Sequence, residues 1–418
     1  MALIVQKFGG TSVGSIERIQ HVAKWALDAQ ARGDQIVVVV SAMSGDTNRL
    51  VDLATQINPQ PYSREYDMLI ASGEQVAVGL VSLAINTEAK KRGFKAPYSA
   101  RPLLGHQIGI KTDSIYSKAR IQEIDTTLLR KELAQNVIPV IAGFQGVDAD
   151  NNITTLGRGG SDTSAVAIAA SLKADDCEIY TDVDGVYTTD PRLCARARKI
   201  EKISYEEMME LASLGAKVLQ IRSVELAAKY RIPLHVRSSF DPVEGTRVVA
   251  KEDLGSAMEQ VVVAGIAADQ GQVKFTLRHV PDATGVAANI FGALSGAAIV
   301  VDVIVQDVPS HGYLTVSFTV GKNDHLKTRE VIEELRSGGF PEMHVVEEPT
   351  LSKVSIVGVG MQHHPGVAAK MFGLLAEAGI NIKLITTSEI KVSCLIDEEF
   401  TKKAVEWLHR GFDLDRTD

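Results

Sequence analysis

A chain of 418 residues with 45% hydrophobic and 23% charged side chains is long enough for two or three domains and too apolar to be disordered or fibrous. Its 44 Lys plus Arg against 52 Asp plus Glu leave a net charge of −8, and with no long basic stripe nucleic acid is not an expected partner. MALIVQKFGG has no basic region leading into an apolar stretch, and the longest apolar run, at 36–43, falls short of a bilayer, so neither a signal peptide nor a membrane helix is expected.

In chain order, residues 1 to about 240 alternate β-branched apolar runs with helical patterns, which predicts an α/β fold whose mostly parallel sheet is covered by helices on both faces. The expected strands are LIVQKF (3–8), IVVVVSA (36–42), VIPVIAG (137–143), CEIYTD (177–182) and PLHVRS (233–238). Most are continuous apolar runs, as strands buried on both sides should be. Ile16, Ile19, Val22, Ala23, Ala26 and Leu27 share one helical face from Ser15 to near Gly33, and a longer helical pattern covers 64–92, ending in the basic turn EAKKRG. Cys177, Cys194 and Cys394 show no ligand spacing and read as free thiols of a reducing cytoplasm.

Residues 241–258 are polar, without a period, and read as a connection. Beyond 260 the texture changes. VKFTLRHVPDATGVAANIFGALSGAAIVVDVIVQ (273–306) and VSIVGVGMQHHPGVAAKMFGLLAEAGINIKLITT (354–387) share one plan: a strand, a loop ending in Gly-Val-Ala-Ala, a helix, a glycine turn and a second strand. A spacing of roughly 80 residues is too long for a solenoid and indicates a duplicated α+β module.

Two glycine-rich turns precede helices. TLGRGGSDTS (155–164) would present backbone N–H groups and a positive helix end at one point, with Arg158 as a planar fork for a carboxylate or a phosphate. KFGGTS (7–12) lacks P-loop spacing, yet it follows a strand and offers the same anion chemistry, with Lys7 as a point charge for a phosphoryl group. YTDVDGVYTTDPR (180–192) stands at the carboxyl end of a buried strand, where α/β sheets bind ligands. There Asp182, Asp184 and Asp190 are candidates for Mg²⁺ or a ribose, and Tyr187 for a base. Ser41 after IVVVV and Glu74 within an apolar helix are polar groups where water should be scarce, so Glu74 needs a partner; Arg158 is the candidate, directly or through a ligand. His363 and His364 lack further ligands and read as loop residues, no resident metal site is expected, and no Ser/His/Asp set is suggested.

VQKFGGTSV (5–13), VVVSAMSGDTN (38–48), SGE (72–74), TTLGRGGSDTSA (154–165) and YTDVDGVYTTDPR, in that order, resemble the aspartokinase family, and the duplicated modules resemble ACT domains. The resemblance implies an amino-acid-kinase three-layer sandwich over 1–245 and a linker at 246–260. It further implies a ferredoxin-like ACT domain at 270–348 inserted in a second one built from 261–269 and 349–418. It implies transfer of the ATP γ-phosphoryl group, with Mg²⁺ bound to the nucleotide, to the β-carboxylate of L-aspartate. Lys7, Arg158 and Asp182 match catalytic positions. Lys7, Phe8, Gly9, Gly10, Ser41, Tyr180, Thr181, Asp182, Val186, Tyr187, Asp190, Pro191, Arg192 and Lys217 match the ATP site, and Thr47, Glu74, Arg158, Gly159, Gly160, Ser161 and Asp162 the aspartate site. Asp282, Gln306, Val367, Asn381, Ile382, Ser388 and Glu389 match contacts for lysine or threonine as feedback effector, bound between ACT domains of a homodimer or tetramer. Where many relatives read Ile-Asn-Ile-Asp, the first module reads IVVD at 299–302. Met258 is a candidate internal start for a separate β subunit.

Overall fold

The computed structural model describes residues 1–94, 99–215, 218–254 and 262–416; Lys217 and Met258, singled out above, lie outside the described residues. The chain divides into two units, Met1–Tyr187 with Lys199–Met258, and Thr188–Arg198 with Glu259–Asp418.

An eight-stranded sheet forms the centre of the first unit, in the order Lys202–Ser204, Thr246–Val249, Leu234–Ser238, Asp176–Thr181, Leu3–Phe8, Gln35–Val40, Ile138–Ala142, Ala100–Leu103. From Leu234–Ser238 to Ala100–Leu103 every neighbouring pair is parallel. The five strands expected from apolar runs are present to within one or two residues, because burial on both faces leaves those runs no polar alternation to blur their ends. One face packs against helices Ile16–Ala31 and Ser72–Lys91 through Phe8, Val38, Val40, Ile19, Val22, Val78, Val81 and Ile85. Ser15 caps the first of these, its hydroxyl accepting from the Arg18 amide. On the other face lies helix Gly160–Leu172, buried on nearly every side, and small residues such as Ala165, Ala167 and Ala169 let it sit close to the sheet.

The 241–258 stretch differs from its expected role as a plain connection: Thr246–Val249 is a strand, antiparallel to Leu234–Ser238. Its two inward positions, Thr246 and Val248, are buried, and the Thr246 hydroxyl donates to the Ile200 carbonyl. Four residues flanked by charge are too short to show a period, so the pairing partner decides.

In the second unit a six-stranded antiparallel sheet runs Val301–Gln306, Tyr313–Gly321, Gly265–Pro281, His344–Val357, Lys391–Asp397, Leu384–Thr387. The two long central strands serve both modules. Residues 272–281 pair with Tyr313–Gly321, whereas Gly265–Gln270 pairs with the later half of His344–Val357. The ladder shifts register between these halves, where Gly271 takes φ +75°. Each module has its own core, one around Phe275, Phe318, Ile290 and Ile332, the other around Ile356, Met371, Leu375, Cys394 and Val405. The excursion Thr188–Arg198 is held in this unit: Ile266 donates to the Thr188 carbonyl at 2.7 Å, the Thr188 hydroxyl meets His409 Nε2 at 2.8 Å, Arg198 Nε donates to the Leu414 carbonyl, and Cys194 enters the second core. All three cysteines are buried and free.

Candidate active site

A cleft of about 310 Å³ opens at the carboxyl ends of strands Leu3–Phe8 and Gln35–Val40. Its lining brings together residues far apart in sequence: Lys7, Gly10, Ser41, Thr47, Glu74 and the run Gly157–Asp162. This is the position where an open α/β sheet presents ligand sites.

Lys7 is fixed by its strand, paired with Val39 on one side and Ile179 on the other, so its side chain emerges on the face opposite Phe8, toward helix Gly160–Leu172. There its ammonium lies 2.5 Å from Asp162, and both side chains are nine-tenths buried. An ion pair this enclosed is costly to break from one side only. Asp162 in turn sits in the first turn of the helix, where the macrodipole favours a negative charge. Gly159 begins that helix with φ +70°, and an added Cβ would fall 1.7 Å from Gln220 Cγ, so only glycine fits. At Gly10 a Cβ would meet the Ala42 carbonyl oxygen at 2.9 Å, which keeps the backbone of the KFGG turn close against the 41–45 loop.

Glu74 lies in the first turn of helix Ser72–Lys91, is 3% exposed, and accepts the Ala42 amide at 3.0 Å through one carboxylate oxygen. Its other oxygen has no hydrogen-bond partner among the described residues. Burial pushes this carboxyl up to about 7, against the Ala42 hydrogen bond and with help from the nearby Asp46 charge. A buried oxygen aimed at a polar cleft without a donor is a group waiting for one. Arg158 does not supply it: the two share the cleft, but Arg158 is exposed at its edge and forms no ion pair among the described residues. The direct pairing considered from sequence is therefore absent, and a bridging molecule with both charges remains as the link.

Other motif residues stand elsewhere. The rings of Phe8 and Tyr180 stack in the core at 4.7 Å, with the Tyr180 hydroxyl bonded to Glu178; what Tyr180 gives the KFGG turn is its carbonyl, which accepts from Gly9. Thr181 donates to Asp182, an exposed carboxylate just past the central strand and not in the cleft lining. Val186 is buried, and the Tyr187 hydroxyl is held by Asp184, itself paired with Lys199 at 3.3 Å. Asp190, Pro191 and Arg192 fall in the excursion that belongs to the second unit, where Arg192 grips Asp190 at 2.7 Å. The effector candidates lie in the second unit as well: Asp282, Gln306, Asn381, Ser388 and Glu389 are exposed, Glu389 accepts from Gln362, and Val367 and Ile382 pack on the second core. Val300, in the IVVD stretch, is exposed.

The cleft also contains residues not foreseen. Phe144, in the GFQG turn after strand Ile138–Ala142, holds φ +69°, a conformation uncommon for a bulky side chain and one that clusters at functional sites. Its amide donates to Ser164 and its carbonyl accepts from Leu156, which ties the turn to the helix start. An aromatic within Gly143-Phe144-Gln145-Gly146, directly after a buried run, was the available signal. Outside the cleft lining, Asp176, Glu178 and His235 bring ligand atoms within 4.8 Å of one another. Arg237 pairs with Glu178 at 2.8 Å and Arg247 with Asp176 at 3.0 Å, so the cluster is charge-balanced as it stands. Burial, then the two arginines, pushes His235 down to about 4 and keeps it neutral.

The cleft thus brings together a buried ammonium paired with Asp162, one guanidinium, two glycine-rich turns and an acid with one oxygen unpartnered among the described residues, a set of groups that can meet both anionic and cationic parts of a ligand. Residues 2–238 match the model of the amino acid kinase family and residues 354–412 that of the ACT domain. The chain is 51% identical over 415 residues to an aspartokinase of Pseudomonas aeruginosa, covering 99% of this chain and 98% of that one. It is 48% identical over 417 residues to aspartokinase 2 of Bacillus subtilis, covering 100% and 99%. Among solved structures, E. coli aspartokinase III in complex with aspartate and ADP aligns with a TM-score of 0.77 at 26% identity, over 98% of this chain and 99% of that one.

Proposed function

The chain belongs to the amino acid kinase family and, within it, to the aspartate kinases with ACT domains; on that premise we propose that it transfers the γ-phosphoryl group of ATP to the β-carboxylate of L-aspartate, giving 4-phospho-L-aspartate and ADP. The product would enter lysine synthesis through diaminopimelate, and threonine and methionine synthesis. The observation that carries the reading is the unsatisfied Glu74 oxygen sharing one cleft with Arg158 and Lys7. An α-amino acid with a second carboxylate answers all three.

In this reading Arg158 forks a carboxylate of aspartate, Glu74 accepts from its ammonium group, and the amides around Gly159–Ser161 hold its remaining oxygens. Thr47 adds a hydroxyl. The acceptor is already ionised at neutral pH, so no base is required, in keeping with a cleft that has no histidine in its lining. The task left is electrostatic: two anions have to be held in contact while charge shifts between them. Lys7 and the Gly9–Gly10 turn would meet the phosphates, with Ser41 on the same side, and Asp162 holds Lys7 in place. Mg²⁺ would arrive on the nucleotide and neutralise its oxygens, a use that asks few ligands of the protein; the exposed Asp182 is the carboxylate available to it. The 180–192 motif and Lys217 would serve the nucleotide, with Tyr180 contributing backbone.

Lysine, threonine or both would bind at the ACT modules through Asn381, Ile382, Ser388, Glu389 and Val367, with Asp282 and Gln306 in the first module, in a homo-oligomer. The test is ADP formation with L-aspartate, L-glutamate and N-acetylglutamate in turn, then with lysine and threonine added singly and together. Aspartate alone should support turnover; equal rates with glutamate would defeat the substrate assignment, and no turnover with any acid would mean a silent amino-acid sensor.

A further inference from the structure

Arg158 is carried by a segment with little stiffness of its own. Gly157 and Gly159, on either side of it, take φ +76° and +70°, and Gly160 follows, so the place of its guanidinium has to be set by what grips the chain just before it. Two charged side chains from distant elements do so. Asp67, in helix Arg64–Ile70, is fully buried, and its carboxylate accepts the Thr155 amide at 2.6 Å, the Ser117 amide at 2.9 and 3.0 Å and the Ser117 hydroxyl at 3.1 Å. Arg222, in the first turn of helix Ile221–Tyr230, donates to the Leu156 carbonyl at 2.6 Å and the Ala119 carbonyl at 3.0 Å. The two gripped segments are themselves joined, the Ala119 amide donating to the Thr155 carbonyl at 2.9 Å. An acid therefore holds the amides of this two-chain stem, and a base holds its carbonyls.

Stability alone does not account for these charges. Among the described residues neither forms an ion pair. A fully buried carboxylate is costly to desolvate, and a cation in the first turn of a helix opposes the macrodipole. Ser117 holds φ +64°, uncommon outside glycine, where its amide meets both Asp67 oxygens. Gln220, directly ahead of Arg222's helix, packs over Gly159, so one helix start touches the chain on both sides of Arg158. We propose that Asp67 and Arg222 are positioning residues for the phosphoryl acceptor: by gripping the stem from its amide and carbonyl sides they fix where Arg158 meets the substrate carboxylate. The inference rests on the reading of Arg158 as that carboxylate's anchor. Neither residue lines the cleft, so each acts through Arg158. Misplacing a binding group by about 1 Å can cost on the order of 10²-fold, which gives a loosened stem a kinetic signature.

Steady-state kinetics of the full chain, with aspartate and ATP varied in turn, test the proposal in a cycle of Arg222→Met, Arg158→Ala and the double variant. Arg222→Met should raise the aspartate KM about tenfold and leave the ATP KM within about twofold. Arg222→Lys, which keeps a cationic donor for one carbonyl, should recover most of the loss. In the Arg158→Ala background Arg222→Met should add nothing to the aspartate KM, because the group it positions is gone. Asp67→Asn, which sets an amide donor against the Ser117 N–H, should behave as Arg222→Met does. An aspartate KM unchanged in both Arg222→Met and Asp67→Asn would overturn the positioning role, as would an undiminished further rise on top of Arg158→Ala. A fall in kcat alone, with a lower urea midpoint, would mark both residues as structural and overturn it as well. Failure of the underlying reading has a different sign: Arg158→Ala by itself would leave the aspartate KM at the parent value, and this inference would fall with it.

Discussion

Glu74 is the residue whose state the cleft controls most visibly. Its folded pKa of about 7 lies above the usual carboxylate range, so the group gains its charge as pH rises through 7. If the carboxylate holds the substrate ammonium, the aspartate KM should fall as pH rises across that window and level off above it. Glu74→Gln should raise KM and flatten the profile, measured from pH 6 to 8.5 at saturating ATP. A KM independent of pH in the parent enzyme would remove Glu74 from the substrate site. Arg158→Ala should lower kcat/KM for aspartate by about 10²-fold and leave the ATP KM nearly unchanged, as loss of one charge-assisted anchor predicts. Lys7→Met should instead cost about 10³-fold in kcat, and its stability should also suffer because Asp162 would remain buried without a counter-charge. These residues were legible in the sequence because acids, lysines and arginines beside apolar runs and glycines have few structural reasons to be there. The pairing of Lys7 with Asp162, the left-handed Phe144 and the inward stacking of Tyr180 were not. Each depends on which face of a strand or turn a side chain takes once distant elements have packed.

At the scale of elements, the helix beginning at Gly160 depends on a backbone that only glycine allows. Gly159→Ala places a Cβ inside the space of Gln220 at φ +70° and should destabilise the kinase unit by about 1–3 kcal/mol. Urea denaturation followed by intrinsic fluorescence would read this; an unchanged midpoint with full activity would show that the turn tolerates rearrangement. The five buried parallel strands could be read from composition alone, since continuous β-branched runs have one common use. Strand Thr246–Val249 could not, because its existence comes from the register with Leu234–Ser238 and from the Thr246 hydrogen bonds. Neither could the Thr188–Arg198 excursion, whose anchors, Ile266, His409 and Leu414, lie far along the chain. The duplicated modules were visible as a repeat, yet the sharing of strands Gly265–Pro281 and His344–Val357 between them is a property of the sheet.

For the whole molecule, a cleft with two glycine-rich turns in one unit and an ACT domain in the other describe an aspartate kinase with a regulatory unit. Asn381→Ala, in an exposed loop of the second unit, should weaken inhibition by lysine or threonine at least tenfold while leaving uninhibited kcat within about twofold, since it touches no cleft residue. Dose–response curves with both amino acids check it, and unaltered inhibition would move the effector site elsewhere. The central claim is the transfer of a phosphoryl group between two anions held by Lys7 and Arg158. Phosphorus NMR of a reaction containing ATP and L-aspartate labelled with ¹⁸O in its β-carboxylate tests it most directly. An acyl phosphate signal equal in amount to the ADP formed, shifted by one bridging ¹⁸O, is the predicted result. ADP accompanied only by unlabelled inorganic phosphate, with no acyl phosphate signal and no aspartyl hydroxamate when hydroxylamine is added as a trap, would contradict it.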